Sequence, residues 1–314
     1  MVCWADIAAD DFTRRIGHAR NYEETTVSSN SGKIGIGLAG AVACAGLLSA
    51  GVAGAATVVV SPANMEGWSF QSFDGNFAPV SSGNYLGTAQ MVNGPGTPPF
   101  GTGSANLATN PGYGNGGEAL STQAYDGTAL SAITSLSYYT YMTTNNGSQF
   151  PYIALAISTD GNPIASDGSN LAFIDFEPPY QTPTTGNPNL PNQGAASLKT
   201  WQFWNALEGG WDAPNAGTGV SSLSAFLTEY PKAAIANPSN VYPGFAGINL
   251  QVGFGNPTDN FNGNVDGFSI GISNSVTTFD FEPAPAPASF GLVGVGALAL
   301  IGGLALRRRV ANKL

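Results

Sequence analysis

The residues best suited to chemistry lie between Asp259 and Asp266. Asp259, Asn260, Asn262, Asn264 and Asp266 bring five oxygen-bearing side chains into one short stretch that also contains Gly263. Calcium is a hard cation that takes oxygen ligands, so Asp259, Asn262, Asn264 and Asp266 are expected to offer a calcium-binding loop. Their spacing differs from that of an EF-hand, and no glutamate closes the loop. Asx residues also serve turns, because they tolerate left-handed backbone.

Asp175 and Glu177 form a second candidate. Two residues apart on a strand, they share a face, and paired carboxylates are what glycoside hydrolysis requires. Same-strand neighbours of this kind stand about 7 Å apart, between the retaining and inverting separations. Glu208 is the remaining carboxylate considered with them, but no E-x-D-x-x-E pattern is present, and no catalytic residue is expected. Trp201, Trp204 and Trp211 are candidates for stacking on sugar rings, as a flat apolar face suits a pyranose. Core packing is the competing role for these three and for Trp68.

Composition removes much other chemistry. Cys3, His18 and Cys44 are every cysteine and histidine in the chain, and all precede Ala56. The remainder therefore has no disulfide, no cysteine nucleophile, no Ser-His-Asp triad and no His/Cys metal or haem site. From Ala56 to Glu282 the cations are Lys199 and Lys232, with no arginine, against many carboxylates. Such a surface repels phosphates, so nucleic acid is excluded as a partner. Acidic polysaccharides are repelled too, unless a cation bridges them.

The positioning elements are strands. Leu136, Tyr138, Thr140 and Met142 alternate with Ser137, Tyr139, Tyr141 and Thr143, and Asn145-Asn146-Gly147 follows as a turn. Tyr152 to Ser158 comes next, so the two runs are expected to pair as a hairpin. Further strands are expected over Leu171 to Phe176, Ile248 to Phe254, Gly267 to Ile272 and Val276 to Phe281. One short helix is expected from about Ser222 to Tyr230, its stripe being Leu223, Phe226, Leu227 and Tyr230, with Pro231 ending it. Gln90 to Gly117 and Pro178 to Gln193 are rich in Gly, Pro, Asn and Thr and are expected to be long loops. The fold class is all-β, with about 225 residues forming one sandwich. The tetrad Asp-Phe-Glu-Pro occurs twice, at 175–178 and 280–283.

Trp201, Trp204, Gly210, Trp211, the Leu/Phe helix, Tyr230-Pro231 and the run from Phe261 to Gly271 come in an order that resembles secreted bacterial jelly-roll domains of concanavalin-like or carbohydrate-binding type. The resemblance implies a jelly-roll β-sandwich and no defined activity.

The chain ends carry targeting features. Glu282 to Ala288 is an acidic Ala-Pro spacer that cannot build a ladder, since proline lacks the amide donor. Phe290 to Leu306 has no charge and would span about 26 Å as a helix, close to a bilayer core. Arg307, Arg308 and Arg309 then stop it on the cytoplasmic side. This order resembles the PEP-CTERM sorting tail of exported bacterial proteins, with Phe281 in place of the first proline. The resemblance implies that an exosortase-type protease recognises Glu282-Pro283 and processes the tail, commonly in bacteria that make exopolysaccharide.

At the front, Lys33 precedes an apolar run over 34–52. Ala53-Gly54-Ala55 then provides a signal-peptidase site, with cleavage before Ala56. The polar leader before it contains Asp10, Asp11, Glu23 and Glu24, which suits Val27 as an alternative start. The expected organisation is a leader over 1–55, a sandwich over 56–281, a tether over 282–289 and a transmembrane tail over 290–314. The expected product is a non-catalytic, exported envelope or matrix protein, either membrane-anchored or released after processing, with a structural or carbohydrate-adhesion role in a biofilm. A carboxylate-dependent polysaccharide-active enzyme is the alternative.

Overall fold

The computed structural model describes residues 55–75, 77–80, 87–111, 116–183, 189–214, 219–255, 258 and 260–284. Asp259, the apolar leader run, the Ala-Pro spacer beyond Ala284, and the tail with Arg307, Arg308 and Arg309 lie outside them. Among the described residues no helix is long and apolar enough to cross a membrane.

The described chain is mostly β-sheet with one α-helix, and it forms a β-sandwich. One sheet contains β1 (Ala55–Val60), β3 (Thr88–Asn93), β4 (Gly103–Ala108), β6 (Ile133–Thr144), β9 (Gln202–Asn205), β14 (Asn262–Ile272) and β15 (Ser275–Phe281). The other contains β2 (Trp68–Phe73), β5 (Gly117–Thr122), β7 (Tyr152–Ser158), β8 (Leu171–Phe176), β12 (Ala234–Ile235) and β13 (Ile248–Gly253). A small ribbon, β10 (Gly210–Trp211) with β11 (Ser221–Ser222), leads into helix α1 (Leu223–Glu229).

Alternation decides which side chains meet between the sheets. Leu136, Tyr138 and Met142 of β6 point inward and are at most 1 % exposed, whereas Ser137, Tyr139, Tyr141 and Thr143 point out. Ile153, Leu155 and Ile157 of β7 and Ile174 and Phe176 of β8 join Leu136 and Tyr138 from the opposite sheet, while Met142 clusters with Phe150 and Phe261. Trp68 lies edge-on to Phe268, Phe279 and Phe281 and so joins β2 to the last two strands. Ser222 caps α1 by accepting from the Ala225 N–H at 3.2 Å, and Leu223 and Phe226 are buried on its inner stripe as expected.

Two expectations are corrected. The runs around β6 and β7 do not pair: β6 bonds β14 and β9, while β7 bonds β8, β12 and β13. Both runs bury an apolar face, and the seven residues 145–151 carry the chain across the sandwich, so each face meets the core from its own sheet. Gln90 to Gly117 is not a loop, for it contains most of β3 and all of β4. Small residues there take buried positions that larger ones could not: a Cβ on Gly103 would fall 2.2 Å from Pro283 Cδ. The polar Asn106 is satisfied by donating from Nδ2 to Asn262 Oδ1, the Gly263 carbonyl and Asn264 Oδ1 at 2.7, 3.1 and 3.1 Å.

The recurrent tetrad is a strand-end device. Asp175-Phe176 ends β8 and Asp280-Phe281 ends β15, in different sheets, with both phenylalanines fully buried. β15 pairs in parallel with β1, and the chain stays packed one residue beyond the strand. Glu282, expected to open the tether, is 5 % exposed and donates its N–H to the Val60 carbonyl at 2.8 Å.

Candidate functional site

The outward face of β6 carries the most distinctive surface. β9 pairs with β6 in the register Tyr139 to Phe203 and Tyr138 to Trp204, so neighbouring residues of β9 go to opposite faces. Phe203 is 49 % exposed, and its ring lies 5.2 Å from that of Tyr139. Trp201 packs 5.5 Å from Tyr141, and its indole N–H donates to the Pro95 carbonyl at 2.9 Å. Phe100 completes the row at 6.2 Å from Tyr139. Gly267 makes room for it, because a Cβ there would fall 2.5 Å from Phe100 Cε2.

The face therefore presents Phe100, Tyr139, Phe203, Tyr141 and Trp201, partly or largely exposed, over strands β6 and β9, which carry no charged residue. Flat rings with polar edges suit neutral sugars, which offer apolar C–H faces ringed by hydroxyls. Of the expected stacking tryptophans, Trp201 belongs to this face. Trp204 and Trp211 do not, and that expectation is corrected. Both are fully buried, and their N–H groups donate inside the fold to Thr140 Oγ1 and the Ala206 carbonyl, each at 2.8 Å. Nothing in the sequence marks Phe203 over Trp204; the register of β9 separates them.

The loop bearing Phe100 is held by carboxylates. β14 pairs with β4 over Asn262–Val265 and with β15 over Phe268–Ile272, and Asp266 stands at the change of partner. Asp266 Oδ2 accepts from the Phe100 N–H and Oδ1 from the Phe281 N–H, both at 3.1 Å. Burial pushes its carboxyl up to about 7 against those hydrogen bonds. Glu282 accepts from the Thr102 N–H, from Thr102 Oγ1 at 3.1 Å and from the Gly103 N–H at 3.1 Å.

The expected calcium loop is a strand instead. Asn262, Asn264 and Asp266 lie in β14, and all three accept hydrogen bonds from neighbouring groups. Asn264 also donates to Ser104 Oγ at 2.9 Å. Among the described residues no group of three or more His, Cys, Asp or Glu side chains is placed to hold a metal ion.

Asp175 and Glu177 are brought to a third carboxylate, Asp212, which sequence reasoning missed. Asp175 and Asp212 exchange backbone hydrogen bonds at 2.9 and 2.8 Å. Burial, then the charges of Glu177 and Asp212, pushes Asp175 well above the carboxylate range. Burial, then Asp212, pushes Glu177 up to about 7. Tyr152 stands beside them with its hydroxyl accepting from Gln251 Nε2 at 2.8 Å. Both shifts run the same way, whereas acid and nucleophile need opposite ones. Glu208 stays apart, exposed and accepting from Asn205 Nδ2 at 3.1 Å. A cleft of about 380 Å³ lined by Asn145, Phe150, Pro179 and Leu198 includes none of these carboxylates.

No protein-family model, curated protein or solved structure matches the chain. The functional reading therefore rests on the site itself.

Proposed function

We propose that this chain is an exported, non-catalytic protein of the cell envelope or extracellular matrix that adheres to neutral polysaccharide through the aromatic face of β6 and β9. The observation that carries the reading is the row Phe100, Tyr139, Phe203, with Tyr141 and Trp201 beside it, on an exposed sheet face. The acidic, nearly cation-free composition argues against nucleic acid.

Delivery follows the two chain ends: a leader cut before Ala56 and a PEP-CTERM-like tail inserted by its apolar segment and read by an exosortase-type protease. The packing of Glu282 bears on this step. A protease that reads Glu282-Pro283 meets a side chain folded into the domain, so processing favours a chain whose last strand is not yet docked. Intact mass of protein extracted from the cell surface tests it: loss of both 1–55 and the tail supports the pathway, and retention of the leader overturns it.

Affinity electrophoresis through gels containing neutral β-glucan, xylan or mannan tests the adhesion. Retardation in at least one gel, lost in Phe203→Ala and Tyr139→Ala, is expected. Equal mobility in every gel removes the adhesive role. Turnover of a polysaccharide abolished by Glu177→Gln would instead favour an enzyme built on Asp175, Glu177 and Asp212.

A further inference from the structure

Asp280 and Glu282 direct carboxylate oxygens at one point beside Gly101. A Cβ on Gly101 would fall 1.6 Å from Glu282 Oε1 and 3.0 Å from Asp280 Oδ1, and Gly101 itself has φ of +49°. Any other residue at 101 would collide with the Glu282 carboxylate, which packs directly against this glycine beside Asp280, and would strain the backbone.

Asp280 is only 8 % exposed, and its Oδ1 is buried with no hydrogen-bond partner. A buried carboxylate oxygen without a partner is costly, and a second carboxylate beside it adds repulsion. Glu282 is better satisfied, through Thr102 and Gly103, but a carboxylate has about four lone-pair sites and three are used. Burial and then the Glu282 charge push Asp280 up to about 6. The two lysines between Ala56 and Glu282, Lys199 and Lys232, are both exposed. Among the described residues no side-chain cation is supplied to this pair.

We propose that Asp280 and Glu282 form a binding site for one divalent cation of the calcium type, held between the unpartnered Asp280 Oδ1 and the Glu282 carboxylate where the two meet beside Gly101. Two carboxylates provide the charge. Water completes the shell of six to eight oxygens that calcium accepts. The site differs from the stretch 259–266 in every ligand. It ties the end of β15 to the loop 100–103, and it stands whether or not the aromatic face binds polysaccharide.

The test uses the full chain, purified in detergent and stripped with chelator. Equilibrium dialysis against radioactive calcium up to about 1 mM, the range of extracellular calcium modules, is expected to show one ion per chain. Thermal melting should rise with calcium in the wild type and in Asp259→Ala, and the rise should vanish in Asp280→Asn. No uptake of calcium by the wild type overturns the site, and that measurement does not depend on any variant folding. Uptake retained in Asp280→Asn but lost in Asp259→Ala also overturns it, since the ion then belongs to the earlier stretch. A melting temperature indifferent to calcium that falls between pH 5.5 and pH 7.5 only while Asp280 is present overturns it too, for then a proton shared by the two carboxylates takes the place of the ion.

Discussion

Trp68 lies edge-on to Phe281, with ring centroids 5.4 Å apart and planes at 87°. Phe281 stands where a sorting element of the Pro-Glu-Pro type would begin, and it is fully buried. Its side chain belongs to the core, so the residue is retained by packing whatever reads the tail. Phe281→Ala should cost about 3–5 kcal/mol, as for other buried phenylalanines. Chemical denaturation of the full chain checks this: a midpoint equal to wild type would show that the last strand does not contribute to the core.

Phe203 and Trp204 are sequence neighbours on opposite faces, which makes them a matched pair of probes. Trp204→Phe removes the indole N–H from Thr140 Oγ1 and should lower stability by about 1–3 kcal/mol while leaving polysaccharide retardation unchanged. Phe203→Ala should do the reverse. If both lose retardation in proportion to lost stability, the aromatic face has no separate role.

Asn106 holds β4 to β14 through three acceptors. Asn106→Ala leaves Asn262 and Asn264 without their donor and should cost about 1–3 kcal/mol. Asn106→Asp should cost more, because it faces a carboxylate against the same oxygens. Urea midpoints of the two variants give the ranking, and an equal or reversed order would contradict the network.

Glu177 makes stability depend on pH. Its folded value of about 7 lies above the ordinary carboxylate value, because burial and Asp212 disfavour its charge. The folded state therefore holds the proton more tightly than the unfolded one. Its contribution is full below the unfolded value and is lost as pH rises through about 7. Asp175 is shifted in the same direction. The denaturation midpoint in chelator should fall from pH 5 to pH 8, and Glu177→Gln should flatten that fall. An unchanged slope in the variant would clear Glu177 of the effect.

Several elements were legible as patterns along the chain. The bounds of β7 and β8 follow from apolar runs closed by turn residues, and α1 follows from its three-four apolar spacing and the Pro231 that ends it. β3 and β4 were not legible, because Thr88–Asn93 and Gly103–Ala108 contain few large apolar residues. β4 is a strand because β14 offers it a ladder and Asn106 finds acceptors there, and β3 in turn pairs with β4. Asp212 was equally hidden, since only its backbone pairing with Asp175 brings it to the other carboxylates.

By itself the sequence determined that the part from Ala56 to Glu282 is a β protein without histidine, cysteine or arginine, and hence what chemistry it lacks. It determined too that Tyr139 and Tyr141 share a face, because a strand repeats every two residues whatever surrounds it. Which face meets solvent, that Phe203 rather than Trp204 joins those tyrosines, and that Glu282 is packed instead of tethered were decided by tertiary structure. Those outcomes depend on strand partners far apart in the chain. Local period fixes which residues go together, but only the partner strand and the facing sheet fix where they go.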